Sequence, residues 1–350
     1  MYLSCLQGRR PVAESLLMLL ENYGVSTVGA RFPFESKRLA KLGFQYLGVE
    51  MLVRGYNMYE GSYFGRIIFS CRGRSIIAGK GDNRARHIVA PSQLSRSPPY
   101  ISFSELEEIV GFPPRPLFVI DMGFLKIHTD EEKTSLKIQV AMALTKIREY
   151  LWDRHLALTS ISHGVEEWLY DVTGRNKMIL ARERPGELLW SMKMDKVIIL
   201  RPDADRDLSS TELLEADAFV IGGIVDKIPR PGLSRLLDMK VPWGQPRRIS
   251  LRGSIIGVPA RINRLVEILL RARLDLDGDL EKAIVYTMTR RDKVNRLFYE
   301  FSKNRDLIEG RDVCEIYSLY RWMNPTLDDI IVALKKAKID IKHSEPIECV

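Results

Sequence analysis

Residues 218–227 read Ala218-Phe219-Val220-Ile221-Gly222-Gly223-Ile224-Val225-Asp226-Lys227. Four consecutive apolar residues have the length of a strand buried on both faces, and two glycines end it. A glycine pair at a strand end permits dihedrals closed to other residues and lets a ligand approach the backbone. The acid that follows projects from the carboxyl edge of the sheet, where ligands of α/β sheets bind. This is no dinucleotide fingerprint. The third glycine is missing, and Pro229 and Pro231 stand where a helix would begin. Taken alone, the pattern suits a tight structural turn as well as it suits catalysis.

The flanking sequence places this strand in a doubly wound, mostly parallel α/β sheet. Leu117 to Asp121, Leu156 to Thr159, Lys196 to Leu200 and Arg247 to Leu251 read as further strands. Between them, Leu136 to Trp152 and Val165 to Tyr170 read as helices, and Ser209 or Ser210 caps another through Leu214. Apolar strands separated by helices imply a parallel sheet covered on both faces. A second glycine-rich element, Arg247-Arg248-Ile249-Ser250-Leu251-Arg252-Gly253-Ser254-Ile255-Ile256-Gly257-Val258-Pro259, enters a closing helix that runs to Leu274. Exposed apolar residues beside glycine backbone suit an adenine ring held by main-chain hydrogen bonds. The alternative is a β-α loop that only packs.

The chain divides into four parts: a basic α+β segment over 1–100, a linker over 101–116, the α/β unit over 117–275 and a helical region over 276–350. The first holds a helix (Val12 to Asn22) and three strands, Leu47 to Arg54, Phe64 to Cys71 and Arg74 to Ala78. The short helix before the α/β unit spans Ser104 to Val110, with Ser104 as its cap. Asp275-Leu276-Asp277-Gly278-Asp279 fails the spacing of a calcium loop and is expected to be a hinge. Beyond it, Asp279 to Thr289, Lys293 to Ser302 and Leu327 to Ala337 are helical.

Charge is distributed unevenly over the 350 residues. The net charge of +8 arises within residues 1–100, where 14 basic residues face 6 acidic ones, and the remainder balances. Seven aromatics (Phe44, Tyr46, Tyr56, Tyr59, Tyr63, Phe64, Phe69) precede Arg72, Arg74, Lys80, Arg84, Arg86 and His87. Cations beside aromatics suit RNA, with phosphates on the former and bases on the latter, although a small sheet core with a solvated rim has the same composition. Asn and Gln total only 13, as in thermophile proteins. No apolar run reaches membrane-span length, and no secretory leader pattern opens the chain, so the cytoplasm is the expected location. Four cysteines and five histidines lack zinc spacing or the grouping of a disulfide framework, so neither a metal nor a disulfide is expected.

Together these blocks resemble one family. The strand Lys196 to Leu200, the Gly222 to Lys227 block, the Arg248 to Arg261 block, and Phe118-Val119-Ile120-Asp121 followed by Ser135 and Gln139 are similar to the tRNA position-9 N1-methyltransferases of the SPOUT, or trefoil-knot, superfamily. The resemblance covers roughly 115–275. It implies a C-terminal trefoil knot, S-adenosylmethionine as cofactor, tRNA as partner and a monomeric state, with no metal and no membrane. Leu200, Gly222, Gly223, Ile249, Leu251, Ile256 and Val258 would line the cofactor pocket. Asp226 would be the general base, with Asp203 a second acid on the same edge. Gln139 would lie on the RNA side. Arg72, Arg74, Lys80, Arg84 and Arg86 of the basic head, with Arg247, Arg248 and Arg252 near the pocket, would hold phosphates. Ala260 departs from the acid expected there in some archaeal-type relatives. Asp226 fits either purine, since it can take the N1 proton of guanine or stabilise the cation formed on adenine. Likeness to the archaeal branch favours adenine. Two other readings use the same residues: a knotted methyltransferase acting on rRNA or another tRNA position, and a catalytically silent RNA-binding protein.

Overall fold

Residues 5–6, 8–31, 34–91, 97–225, 230 and 232–340 are described by the structure, a computed structural model. Helix α1 (Pro11–Asn22) begins on proline, whose fixed φ suits a first helical position. Strand β1 (Thr27–Ala30), helix α2 (Ser36–Leu42) and helix α3 (Phe44–Arg54) follow. The run Leu47 to Arg54, expected as a strand, belongs to α3. Every residue from Phe44 to Val53 is buried, so this helix lacks the polar face that would give it a helical period.

Strands β2 (Tyr56–Cys71) and β3 (Arg74–Pro91) form a long antiparallel hairpin that absorbs the two other strands expected here. Its turn is Arg72-Gly73, with φ of 48° and 73°, the pair of positive values that matches strand twist in a two-residue hairpin. Strand β1 adds in parallel to β3, giving the order β1-β3-β2. Helix α4 (Phe103–Val110) is capped by Ser102 rather than Ser104, since the Ser102 hydroxyl accepts from the Glu105 amide at 3.1 Å. A disulfide joins Cys5 to Cys71, contrary to expectation. Their separation of 66 residues hides a pairing that the fold creates by bringing the Cα atoms to 5.3 Å.

The central sheet contains β4 (Leu117–Asp121), β5 (Leu156–Thr159), β6 (Ile179–Leu180), β7 (Val197–Leu200), β8 (Ala218–Gly222) and β9 (Gln245–Arg247). The order is β6-β5-β4-β8-β7-β9 and every pair is parallel. Its helices are α5 (Asp130–Tyr150), α6 (Val165–Thr173), α7 (Pro185–Ser191), α8 (Ser210–Glu215), α9 (Leu236–Lys240) and α10 (Ile262–Leu274). Alternate residues point to opposite faces. Phe118, Ile120, Ile198, Leu200, Phe219 and Ile221 meet α5, α6, α8 and α10. Val119, Ile199 and Val220 meet Leu189 of α7 and Leu237 of α9. The expected fifth strand, Arg247 to Leu251, is displaced towards its N-terminus. Arg248 turns away to bridge with Asp207, and Leu251 closes a tight turn with Ser254.

Helices α11 (Leu280–Thr287), α12 (Arg290–Lys303), α13 (Arg305–Ile308), α14 (Val313–Tyr320) and α15 (Leu327–Ala337) complete the fold. Leu297, Phe301, Ile316 and Leu334 share one continuous core with α5 and α10. The expected hinge at Asp275 is instead a docking point. Its carboxylate accepts from Arg10 and from the Tyr150 hydroxyl, each at 2.9 Å. Gln45 adds a buried bond to Leu151 O at 2.7 Å, and Trp152 packs in the core of the N-terminal sheet.

Closing a loop of this length constrains the unfolded chain by about 4 kcal/mol. Cys71→Ser is expected to lower the denaturant midpoint accordingly and to steepen the transition, because the unfolded chain without the crosslink exposes more surface. A midpoint equal to that of the oxidised protein would mean the bridge contributes nothing.

Candidate functional site

The carboxyl ends of the central strands lie side by side. Register places Asp121 of β4 opposite Gly222 of β8, and Leu200 of β7 opposite both Ile221 and Arg247. The pairing continues one residue past β8, where the Gly223 amide donates to Asp121 O at 2.9 Å. Neither Gly222 nor Gly223 adopts positive φ, so unusual dihedrals are not the reason for the glycine pair. Space is. A Cβ on Gly223 would lie 2.7 Å from the Asp121 carbonyl oxygen, and one on Gly222 would lie 2.8 Å from Ile224 Cδ1.

Asp121 is fully buried, and the sequence reading treated it only as the last residue of a strand. Its carboxylate accepts from the Gly123 amide at 3.1 Å and pairs with Lys240 from α9. A strand closing on an acid after four apolar residues is the sequence signal for such a group. A buried carboxylate is tolerable only with partners of this kind.

Asp226 lies outside the described residues, as do Pro229 and Pro231. The described residues on either side of that segment are anchored to one short stretch. The Val225 amide donates to His128 Nε2 at 3.0 Å, which requires the neutral ring to carry its proton on Nδ1. Arg230 pairs with the buried carboxylate of Glu132 at 3.0 Å and donates to Ile127 O at 3.3 Å. Glu132 also completes the capping box of α5 with Thr129. The start of α5 thus holds the chain on both sides of Asp226. Composition gave no sign of this role for His128, a lone histidine outside any motif.

Asp203, expected as a second acid on this edge, is engaged by two arginines. It bonds Arg235 at 2.6 Å and pairs with Arg201 at 3.2 Å. Burial pushes its carboxyl up, but the Arg235 hydrogen bond and the two guanidinium charges outweigh this and hold it below its ordinary value. An acid held ionised in this way is a poor proton acceptor and acts as a tether between two arginines.

The residues expected to line the cofactor pocket differ in their exposure. Leu200, Ile249 and Leu251 are buried against the core, whereas Ile256 is 40% exposed and Val258 half-buried. The loop between Leu251 and Val258 presents Ile255 and Ile256 to solvent, and Gly253, at φ 73°, has open space where a Cβ would sit. Gln139, expected on the RNA side, is buried and turned inward. Its amide oxygen accepts from Ile262 N at 2.9 Å, capping α10, and its nitrogen donates to Ser135 at 3.2 Å. It lies on a cleft of about 450 Å³ shared with Ile138, Met142, Arg261 and Asn263.

The arginines expected to hold RNA separate by environment. Arg72, Lys80, Arg84 and Arg86 are exposed on the β2–β3 hairpin, and Phe64, 57% exposed, stands opposite Arg84 in the ladder. Arg74 is half-buried and donates to Arg72 O at 2.9 Å. Arg247 is a correction: it is buried and bonds Glu212 at 2.8 Å, and that hydrogen bond pulls the Glu212 carboxyl down to about 2. Arg248 bonds Asp207 at 2.6 Å, and Arg252 stacks on Trp322 at 3.8 Å. Of the seven aromatics, Phe44, Tyr46, Tyr56 and Tyr59 are core residues, and Phe69 packs edge-on against Phe44.

Comparison with known proteins agrees with this geometry. The family model for tRNA (guanine(9)-N(1))-methyltransferase TRM10/TRM10A matches residues 111–235. The chain is 30% identical over 297 residues to the tRNA (adenine(9)-N1)-methyltransferase of Sulfolobus acidocaldarius, covering 84% of this chain and 89% of that protein. It is 29% identical over 254 residues to the tRNA (guanine(9)-/adenine(9)-N1)-methyltransferase of Thermococcus kodakarensis, covering 68% of this chain and 66% of that one. The crystal structure of Sulfolobus acidocaldarius Trm10 in complex with S-adenosylhomocysteine aligns with a TM-score of 0.69 at 25% identity, covering 94% of this chain and 99% of that chain.

Gly223→Ala tests the bend. The methyl group would meet a backbone oxygen that cannot rotate away, so a loss of about 1–3 kcal/mol in unfolding free energy is expected, read by denaturant titration. Wild-type stability in the variant would show that the approach to Asp121 is not a constraint.

Proposed function

The chain belongs to the tRNA position-9 N1-methyltransferase family, and we propose that it methylates N1 of the purine at that position, adenine in preference to guanine. The observation that carries this reading is the 30% identity to an adenine-specific relative along 84% of the chain, well beyond the methyltransferase core. The enzyme is an S-adenosylmethionine-dependent tRNA methyltransferase. The 117–275 segment is its catalytic unit, 1–100 its RNA-holding head and 276–350 its C-terminal region, whose helices among the described residues, up to Ala337, pack on the catalytic unit. Threading of the 201–208 and 248–258 segments into a trefoil knot is supported by their mutual bonds. Leu208 N donates to Arg248 O, and Arg248 N to Arg206 O, both at 2.9 Å. A monomer is supported by α11, which packs on α10 within the same chain.

The residues present fit the cofactor. Open space at Gly253, the exposed Ile255 and Ile256, and the main chain of the 251–258 loop offer an apolar, hydrogen-bonding seat for an adenine ring. Leu200, Gly222, Gly223 and Val258 would complete it. S-adenosylmethionine supplies an electrophilic methyl group on a sulfonium. The protein's part is largely positioning for an in-line displacement. Asp226 stands three residues after Gly223 in the sequence. For guanine it accepts the N1 proton as the bond forms; for adenine it stabilises the positive charge that develops on the ring. The exposed cations of the hairpin, with Phe64 among them, suit the phosphates and bases of a partly opened tRNA.

Unmodified tRNA transcripts bearing A or G at position 9, incubated with labelled cofactor and digested, test the reaction. N1-methyladenosine at position 9 is the expected product. Label at another position or in rRNA would redirect the assignment, and no label would reject it. In the same assay Asp226→Asn should lower methylation of guanine at least a hundredfold and of adenine less, with S-adenosylhomocysteine binding retained. Full activity on both transcripts would remove Asp226 from the chemistry. Separately, the triple variant Arg72→Gln, Arg84→Gln, Arg86→Gln should bind tRNA more weakly. Its log-affinity against log-salt slope should be shallower by up to about 2, with cofactor affinity unchanged. An unaltered slope would exclude the head from tRNA binding.

A further inference from the structure

The loop from Leu251 to Val258 is held from behind by the C-terminal helices. Arg296 of α12 is only 1% exposed, an unusual position for a guanidinium. Its Nη1 donates to Ile256 O at 3.0 Å and to Ser254 O at 3.4 Å, while Nε bonds Glu300 at 2.7 Å. Gly257, at φ 82°, passes so near that a Cβ there would lie 2.6 Å from Arg296 Cβ and 3.2 Å from Asp292 O. The other arm of the loop is fixed as well. The Arg252 amide donates to Glu281 of α11 at 2.9 Å, and the Arg252 guanidinium lies 3.8 Å from the Trp322 ring centre. Arg296 thus takes the carbonyls on the buried side of the loop, while Ile255 and Ile256 remain turned to solvent.

We infer that Arg296 is a positioning residue for S-adenosylmethionine. It fixes the carbonyls of Ser254 and Ile256, and so presents the loop's main chain and isoleucines in the form that receives the adenine end of the cofactor. This rests on the proposed function. It assigns to residues 290–303 a part in cofactor binding without any contact to the cofactor. A buried ion pair contributes little net stability after its desolvation cost, and in some proteins such a pair is retained for the arrangement it imposes.

Calorimetric titration of the full chain with S-adenosylhomocysteine, with hydrogen exchange over residues 252–258, tests this. Arg296→Met should weaken S-adenosylhomocysteine binding and raise KM for S-adenosylmethionine about tenfold. It should also speed exchange in the loop, leaving kcat at saturating cofactor within about threefold and tRNA affinity unchanged. Arg296→Lys should recover part of the affinity. Because Met at 296 leaves Glu300 without its partner, the pair Arg296→Met with Glu300→Leu is made as well. It should keep the wild-type melting temperature and still show the weaker binding. Wild-type affinity and exchange in that pair would overturn the inference while leaving the functional reading standing. A wild-type chain that fails to bind S-adenosylhomocysteine would overturn both.

Discussion

Asp121 holds the carboxyl edge of the central sheet together with three different atoms. Its carbonyl oxygen accepts from Gly223 past the end of β8, one carboxylate oxygen accepts from Gly123 in its own exit loop, and the other pairs with Lys240 at the end of α9. Three loops that are distant in sequence therefore leave the sheet in fixed directions. The contact with Gly223 carries the most consequence. It extends the β4–β8 pairing by one residue, and the lack of a side chain there lets the backbone approach. The chain then turns at Ile224 and reaches His128 through the Val225 amide, immediately before Asp226.

The polar groups around this edge are organised by internal pairing. Arg201, Asp203, Arg235 and Asp238 form one chain of ion pairs. Arg247 with Glu212, Arg248 with Asp207 and Arg230 with Glu132 form others. Charges held this way cost little reorganisation when a substrate arrives, which is how a preorganised site differs from water. The solvated cations of the hairpin are of another kind. They stand on a two-stranded ribbon, exposed, and their effect on a polyanion depends on salt. Much of the positive charge of residues 1–100 thus stands in solvent on this ribbon rather than in buried pairs.

The C-terminal helices bear on the site through packing. Leu297 and Phe301 of α12 lie in the same apolar core as Leu251 and Ile249, so that α12 and the 251–258 loop are tied by a shared core as well as by the Arg296 bonds. A core that is continuous from β7 to α15 gives little room for independent movement of the parts. Asp275, placed where a hinge was expected, strengthens this by receiving Arg10 and Tyr150 at once.

Much of the architecture could be read from the order of residues. Strands β4, β5, β7 and β8 each carry three or more consecutive apolar residues buried on both faces, with a polar residue, where present, at the carboxyl end, and such runs are legible by their continuity. Caps were legible only to within a residue or two: Ser209 of the pair Ser209 and Ser210 caps α8, and Ser102 rather than Ser104 caps α4. Helix α3 was misread because complete burial removes the polar face that marks a helical period. Strand β6, two residues long, has no pattern to read. At the site, the residue types were evident from Gly222-Gly223 and the Arg248 to Val258 block, but their use was not. That Gly223 meets a carbonyl, that Gln139 caps α10, that Arg247 is occupied by Glu212, that Cys5 finds Cys71 and that Arg296 supports the loop all follow from contacts between residues 35 to 123 positions apart. Local sequence carries periodicity and propensity; it holds no record of which distant group will come within 3 Å, because folding alone sets those distances.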